Sequence, residues 1–234
     1  MSGRVRLDGW GGLSDILEYL KGIARETNVE WAKKLGVNPS KQLTLVKPSG
    51  TVSLLCSVSS GIHPKHSAYY LRRVTQDAKD PLTQLMIDEG VPYYKNGSDK
   101  VWFSFPEKAE EGTVTSMEVN PLDQLELWKT YNDHWCEGNP SQTIFYNDEN
   151  FTAVQDWVWT NFDSIGGLSF FPKDDYIYDK DTQPILPITE ALYKEALDKF
   201  PKDINWDRLK EYEKEDGTTS AVTMACSGNS CEMI

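Results

Sequence analysis

Apolar residues at Leu17, Leu20, Ile23, Ala24, Trp31 and Leu35 recur at helical spacing, with Ser14 as a candidate cap and Gly36 as a candidate stop. They predict a long amphipathic helix at the start of the chain. A short strand-like run, Leu43 to Val46, follows. The polar turn Pro48-Ser49-Gly50-Thr51-Val52-Ser53 then leads into Leu54 and Leu55, the pattern of a loop feeding a short helix. Tyr69 to Val74 reads as a strand, and Asp80 caps a helix from Pro81 to Glu89 that stops at Gly90. Val101 to Phe105 reads as the next strand, ending before Pro106. The strongest helix pattern is Pro121 to Trp135, where Leu122, Leu125, Trp128, Tyr131 and Trp135 keep one face. Strands at Gln142 to Tyr146 and Leu168 to Phe171 flank a helix from Phe151 to Asn161, and helices near Thr189 to Lys199 and Trp206 to Lys214 close the series. Repeated strand and helix units of this kind predict an α/β fold.

After Glu211 the pattern is lost in charged, small and polar residues that supply no buried face. The expected division is a body over 1–214 and a flexible tail over 215–234. With 234 residues, 39% of them hydrophobic, the body can bury a core. A formal charge of -12, from 36 acidic and 24 basic residues, argues against a surface that wraps nucleic acid. No apolar run reaches the roughly 20 residues that span a bilayer, and the first residues lack the apolar centre of a signal peptide, so a cytoplasmic protein is expected.

Two features carry candidate chemistry. Cys226 and Cys231 are separated by four residues, Ser227, Gly228, Asn229 and Ser230, close to the end of the chain. An accessible dithiol on a mobile segment suits thiol-disulfide exchange. Incidental surface cysteines or half of a zinc site fit the spacing as well, although zinc requires two further ligands. The second feature is Ser49-Gly50-Thr51-Val52-Ser53, where small residues ahead of a helix leave backbone N–H groups open to an anion. An ordinary capped turn accounts for the same residues. Cys56 and Cys136 read as small buried residues, and His63 and His66 as turn or surface histidines.

The run Val46-Lys47-Pro48-Ser49-Gly50-Thr51-Val52-Ser53-Leu54-Leu55, followed by Ser59-Ser60-Gly61-Ile62-His63-Pro64, resembles the substrate-phosphate segment of the ribonucleotide reductase large chain. Tyr69 to Val74, Trp135 to Ser141 and Gly167 to Pro172 add to the likeness. The terminal Cys-x-x-x-x-Cys resembles that family's reductant-accepting pair. The nearest similarity is to the monomeric, adenosylcobalamin-dependent type that reduces ribonucleoside triphosphates.

This resemblance implies the carboxy-terminal part of a ten-stranded α/β barrel followed by a flexible tail. It implies a substrate-phosphate role for Ser49, Gly50, Thr51, Val52 and Ser53. Cys226 and Cys231 would pass electrons from thioredoxin or glutaredoxin to the site where deoxyribonucleotides are made for DNA replication. The radical-bearing cysteine, the active-site thiol pair and the carboxylate base of the family would lie upstream of the segment seen here. An amino-terminal part is therefore an expected partner, with ribonucleotide as substrate and cobalt-bearing adenosylcobalamin as the cofactor of the complete enzyme. Phe170-Phe171 stands where the iron-dependent class carries two tyrosines for radical relay, and phenylalanine has no O–H for that transfer. Two other readings are a fragment of an iron-dependent large subunit and a noncatalytic assembly protein of the same fold.

Overall fold

In the computed structural model the described residues are 12–50, 52–96, 99–173, 183–213, 224–227 and 230–233. The helices, in chain order, are α1 (Leu13–Leu35), α2 (Val52–Leu55), α3 (Pro81–Asp88), α4 (Pro121–His134), α5 (Phe151–Thr160), α6 (Glu190–Lys199) and α7 (Leu209–Tyr212). The strands are β1 (Tyr69–Asp77), β2 (Tyr93–Asn96), β3 (Lys100–Lys108), β4 (Thr143–Tyr146), β5 (Ser169–Pro172), β6 (Ile185–Pro187), β7 (Met224–Ser227) and β8 (Ser230–Met233). They fall into two compact units, one bounded by Met1–Ala68 and Ala109–Ile177, the other by Tyr69–Lys108 and Tyr178–Ile234.

In the first unit, α1 starts at Leu13, one residue before the expected cap Ser14, with Gly12 at the cap position and no side-chain cap. It stops where expected, because Gly36 adopts φ 69 and lets the Val37 N–H reach back to the Ala32 carbonyl at 3.0 Å. The helix buries Leu17 against Trp128 and Tyr131 of α4, together with Ile62 and Cys136. A second cluster joins Leu125 of α4, Ile144 of β4 and Val154 of α5. β4 and β5 pair in parallel, Ile144 opposite Phe170, with α5 as the crossover that parallel strands require. Gln124 of α4 is 2% exposed; its Nε2 donates to the Thr143 carbonyl at 3.0 Å and its Oε1 accepts from the Phe145 N–H at 2.9 Å. One side chain thus satisfies the backbone of β4 in place of a neighbouring strand.

The second unit is a four-stranded sheet in the order β2-β3-β1-β6. Its pairings are antiparallel, whereas β4 and β5 of the first unit pair in parallel. β3 runs through Pro106, beyond the stretch that β2 pairs, where a missing N–H costs no bond to β2. Asp80 caps α3 as the sequence predicts, accepting from the Leu82 N–H at 2.8 Å. Met86, Val91, Val101 and Phe103 form the core. Arg208 donates to Glu89 at 2.5 Å and Tyr212 to Asp88 at 2.8 Å, fastening α7 to the end of α3.

Residues 214–223 of the chain's end lie outside the described residues. Beyond them β7 and β8 form a two-stranded antiparallel ladder with Cys226 opposite Cys231.

Candidate functional site

The expected strand Leu43 to Val46 is an extended segment without a strand ladder. It is laid along residues 135–141, the Glu137 N–H donating to the Thr44 carbonyl at 2.9 Å and the Ser141 N–H to the Val46 carbonyl at 3.1 Å. Thr44 Oγ1 donates to the Trp135 carbonyl at 2.5 Å. Glu137 is the clasp: Oε2 accepts from the Leu43 N–H at 2.6 Å, and Oε1 from Arg25 Nε at 2.9 Å and Nη2 at 2.7 Å. The Leu43 N–H and then the Arg25 guanidinium hold this carboxyl below the usual carboxylate range.

Beyond this segment comes the anion-type turn. Ser49 Oγ accepts from the Ser53 N–H at 3.1 Å, while Ser53 Oγ and Ser60 Oγ each donate to the Ser49 carbonyl at 3.0 Å. Ser53 is buried, and both its donors are spent on Ser49. The capped-turn reading therefore describes Ser49 and Ser53 as they stand. Gly50 is exposed, and among the described residues other than its chain neighbours no heavy atom lies within 4 Å of where its Cβ would be. Val52 begins α2, and Thr51 lies outside the described residues.

The next turn is welded to this one. Gly61 has φ 60, and a Cβ there would stand 3.1 Å from the Lys47 carbonyl oxygen and 3.2 Å from Val46 Cγ1. Only glycine meets both conditions. Lys47 Nζ donates to the Asn139 carbonyl at 3.2 Å and to Ser141 Oγ at 2.9 Å, and Asn139 Nδ2 donates to the Gly167 carbonyl at 3.0 Å. Three motifs thus converge within the first unit, the first lying 92 residues from the second and the second 28 from the third.

A cavity of about 710 Å³ opens beside this convergence, lined by Ser59, Ile62, His63, Glu118, Asp123 and Gln142 among others. Gln142 donates through Nε2 to the Ile62 carbonyl at 3.3 Å, and its buried Oε1 has no hydrogen-bond partner among the described residues. Of these residues only His63 and the Ser59–Ile62 turn were singled out in the sequence. Glu118, Asp123 and Gln142 carry no local motif, and what gathers them is tertiary structure.

His63 is a structural histidine. Its Nδ1 lies 3.1 Å from the Ser60 carbonyl and its Nε2 lies 3.2 Å from the Thr143 N–H. Neutral imidazole with its proton on Nδ1 satisfies both contacts, and protonating Nε2 breaks the second. Burial lowers its pKa from the ordinary 6.5, the Ser60 contact opposing this, and burial lowers that of His66 too. The unfolded chain therefore binds more protons below that value, and the stabilisation is complete above about pH 6.5 and is lost as pH falls through the folded pKa values. Urea unfolding at about pH 7.5 and about pH 5.5 is expected to show lower stability at the acid value. His63→Gln is expected to be less stable at the neutral value and to lose less on acidification. An equal acid loss in wild type and variant would remove His63 from this account.

The remaining candidates are scattered. Cys136 is buried, as expected, and burial pushes its thiol pKa up. Cys56, expected to be buried, is exposed, as are Val52 and Leu55 of the short helix just before it. Arg72 and Arg73 lie on β1, and Arg73 Nη1 donates to the Gln183 carbonyl at 3.4 Å. Phe170 and Phe171 occupy β5, with Phe171 edge-on to Phe145 at 6.0 Å. A second hollow of about 650 Å³ is lined by Tyr146, Phe151, Val158, Trp159, Phe162 and Phe170 among others. Among the described residues no three His, Cys, Asp or Glu side chains are grouped to hold a metal ion, and no helix is long and apolar enough to cross a membrane.

No protein-family model matches the chain. It is 27% identical over 201 residues to an adenosylcobalamin-dependent ribonucleoside-triphosphate reductase of Euglena gracilis, covering 83% of this chain and 27% of the relative. To the enzyme of the same name from Lactobacillus acidophilus it is 25% identical over 210 residues, covering 86% of this chain and 28% of the relative. The crystal structure of a B12-dependent, class II ribonucleotide reductase superposes with a TM-score of 0.72 at 21% identity, over 88% of this chain and 29% of that one. The chain thus spans between a quarter and a third of the length of these relatives, which fits a carboxy-terminal portion. In sequence it is a relative of the adenosylcobalamin-dependent ribonucleoside-triphosphate reductases, and its α/β fold is that of a portion of the class II ribonucleotide reductase.

Proposed function

We propose that this chain is the carboxy-terminal part of a cytoplasmic, adenosylcobalamin-dependent ribonucleotide reductase, which converts ribonucleotides, as triphosphates by the name of its relatives, to 2'-deoxyribonucleotides. The observation that carries the reading is similarity over most of the chain to relatives of that one name. The turn from Ser49 to Ser53 would hold substrate phosphate. The exposed Gly50, which has space beside its Cα, and the turn's attachment through Gly61 and Lys47 to the rest of the first unit support that role. Ser49 and Ser53 would shape the turn, because their side chains are engaged with each other. Cys226 and Cys231 would return electrons to the active-site thiols that each turnover oxidises, and would themselves be reduced by thioredoxin or glutaredoxin.

Adenosylcobalamin supplies the radical in such an enzyme. Cavities of about 710 and about 650 Å³ are of the size that encloses a drug-sized ligand, well short of a corrinoid with its nucleotide. The cofactor reading therefore rests on the longer relatives, and no residue here is assigned to it. The chemistry further requires a radical cysteine and an active-site thiol pair, for which an amino-terminal part is the proposed partner.

The test is reconstitution. This chain is mixed with the amino-terminal part from the same source, ribonucleoside triphosphate, adenosylcobalamin and a dithiol, and deoxynucleotide is measured. Product is expected from the mixture and none from either part alone. Activity of this chain alone would overturn the division of labour, and an inactive but assembled mixture would favour a noncatalytic assembly role.

A further inference from the structure

The β7-β8 ladder gives the dithiol a geometry that its sequence spacing does not. Ser227 stands opposite Ser230, with two residues between them, and Ala225 opposite Glu232, with the cysteines as the pair between. A two-residue connection closes on a hydrogen-bonded pair, so Ser227/Ser230 and Ala225/Glu232 are the hydrogen-bonded pairs. Cys226/Cys231 is then a non-hydrogen-bonded pair, whose Cα atoms approach to about 4.5 Å, inside the range of about 4.4–6.8 Å that a disulfide spans. Met224, opposite Met233, falls in the same class as the cysteines, its N–H directed away from the partner strand.

We infer that the hairpin is a positioning device for the dithiol, with the backbone N–H groups of Ala225 and Glu232 holding Cys226 and Cys231 in register to close a disulfide. The inference deepens the shuttle reading and rests on it for its biological meaning. The reaction is ordinary exchange. A thiolate from one of the two cysteines attacks an external disulfide, one thiol leaves, and the second cysteine displaces the other thiol from the mixed disulfide. Two electrons pass to the external disulfide, which departs as two thiols, and the S–S bond closes across the ladder. A freely moving tail would lose chain entropy at that last step. A ladder already in register has lost it beforehand.

The test places proline at adjacent positions in the full chain. Each variant is equilibrated with a glutathione redox buffer, alkylated and digested. The carboxy-terminal peptide is then weighed, which separates this pair from Cys56 and Cys136. Ala225→Pro removes an inward N–H, prevents that hydrogen-bonded pair from forming, and is expected to lower the equilibrium constant for closure by roughly tenfold. Met224→Pro removes an outward N–H, Ala225→Val keeps the inward one, and both are expected to stay within about twofold of wild type. Strong Hα–Hα contacts between Cys226 and Cys231, read by nuclear magnetic resonance, should survive in these two and vanish in Ala225→Pro. Equal closure in Ala225→Pro and Met224→Pro would overturn the inference and leave the shuttle reading standing. Closure that falls in Ala225→Pro and not in Met224→Pro, in a chain that thioredoxin cannot reduce, would sink the shuttle reading alone.

Discussion

Trp128→Ala is expected to cost about 4 kcal/mol in the unfolding free energy of the first unit, the largest loss from a single side chain there. Trp128 has no exposed surface and joins Leu17, Ile62, Tyr131 and Cys136 in one cluster, so truncation leaves a void bordered by both α1 and α4. Its Nε1 also donates to the Pro140 carbonyl at 2.9 Å, and truncation leaves that buried acceptor unpaired. Trp128→Phe separates the two effects. It keeps much of the volume and loses the hydrogen bond, and about 1–2 kcal/mol is expected. Guanidinium titration read by circular dichroism measures both. Equal costs for the two variants would mean that packing is not the main term. Pro140 precedes Ser141, which holds Lys47, so Trp128→Ala should loosen the turn motifs as well as the core.

The helices were legible because their signals are local. α4 announced itself through Leu122, Leu125, Trp128 and Tyr131 on one face, and α3 through the Asp80-Pro81 cap. The strands were less so. β2 and β6 span Tyr93–Asn96 and Ile185–Pro187, too short for an alternation to register. Leu43–Val46 has the composition of a strand yet makes its bonds to residues 135–141 as a single extended run, a pairing that nothing local specifies. The antiparallel order β2-β3-β1-β6 hid for the same reason, since the sequence showed alternation of strand and helix and not which strands meet.

The candidate site was legible as motifs and not as geometry. Ser49, Gly50 and Ser53 could be picked out as an anion-type turn, but that Ser53 would turn inward onto the Ser49 carbonyl depends on Ser60, which anchors to the same oxygen from the following turn. Gly61 could be marked as part of a Gly-Ile-His-Pro turn. Its close approach to Lys47 could not, and it is that approach which joins two sequence motifs into one structure. Gln124 and Gln142 were invisible, because a glutamine that bonds to a strand edge or lines a cavity has the same local sequence as one on a surface.

Cys226→Ser and Cys231→Ser are each expected to abolish sustained thioredoxin-dependent turnover in the reconstituted reductase while sparing the first turnover. A serine oxygen cannot form or exchange an S–S bond, so the relay stops after one mixed-disulfide step or before it. The first turnover should survive because the active-site thiols enter it already reduced. A small dithiol that reaches those thiols directly should restore multiple turnover in both variants. Product per enzyme, measured against time with each reductant, separates the cases. Equal loss with thioredoxin and with the small dithiol would remove the cysteines from electron delivery and assign them to structure. The cross-strand register adds an internal check. Ala225→Pro retains both thiols and should slow thioredoxin-dependent turnover without abolishing it, in contrast to the serine variants, because it affects how readily the pair closes and not whether it can.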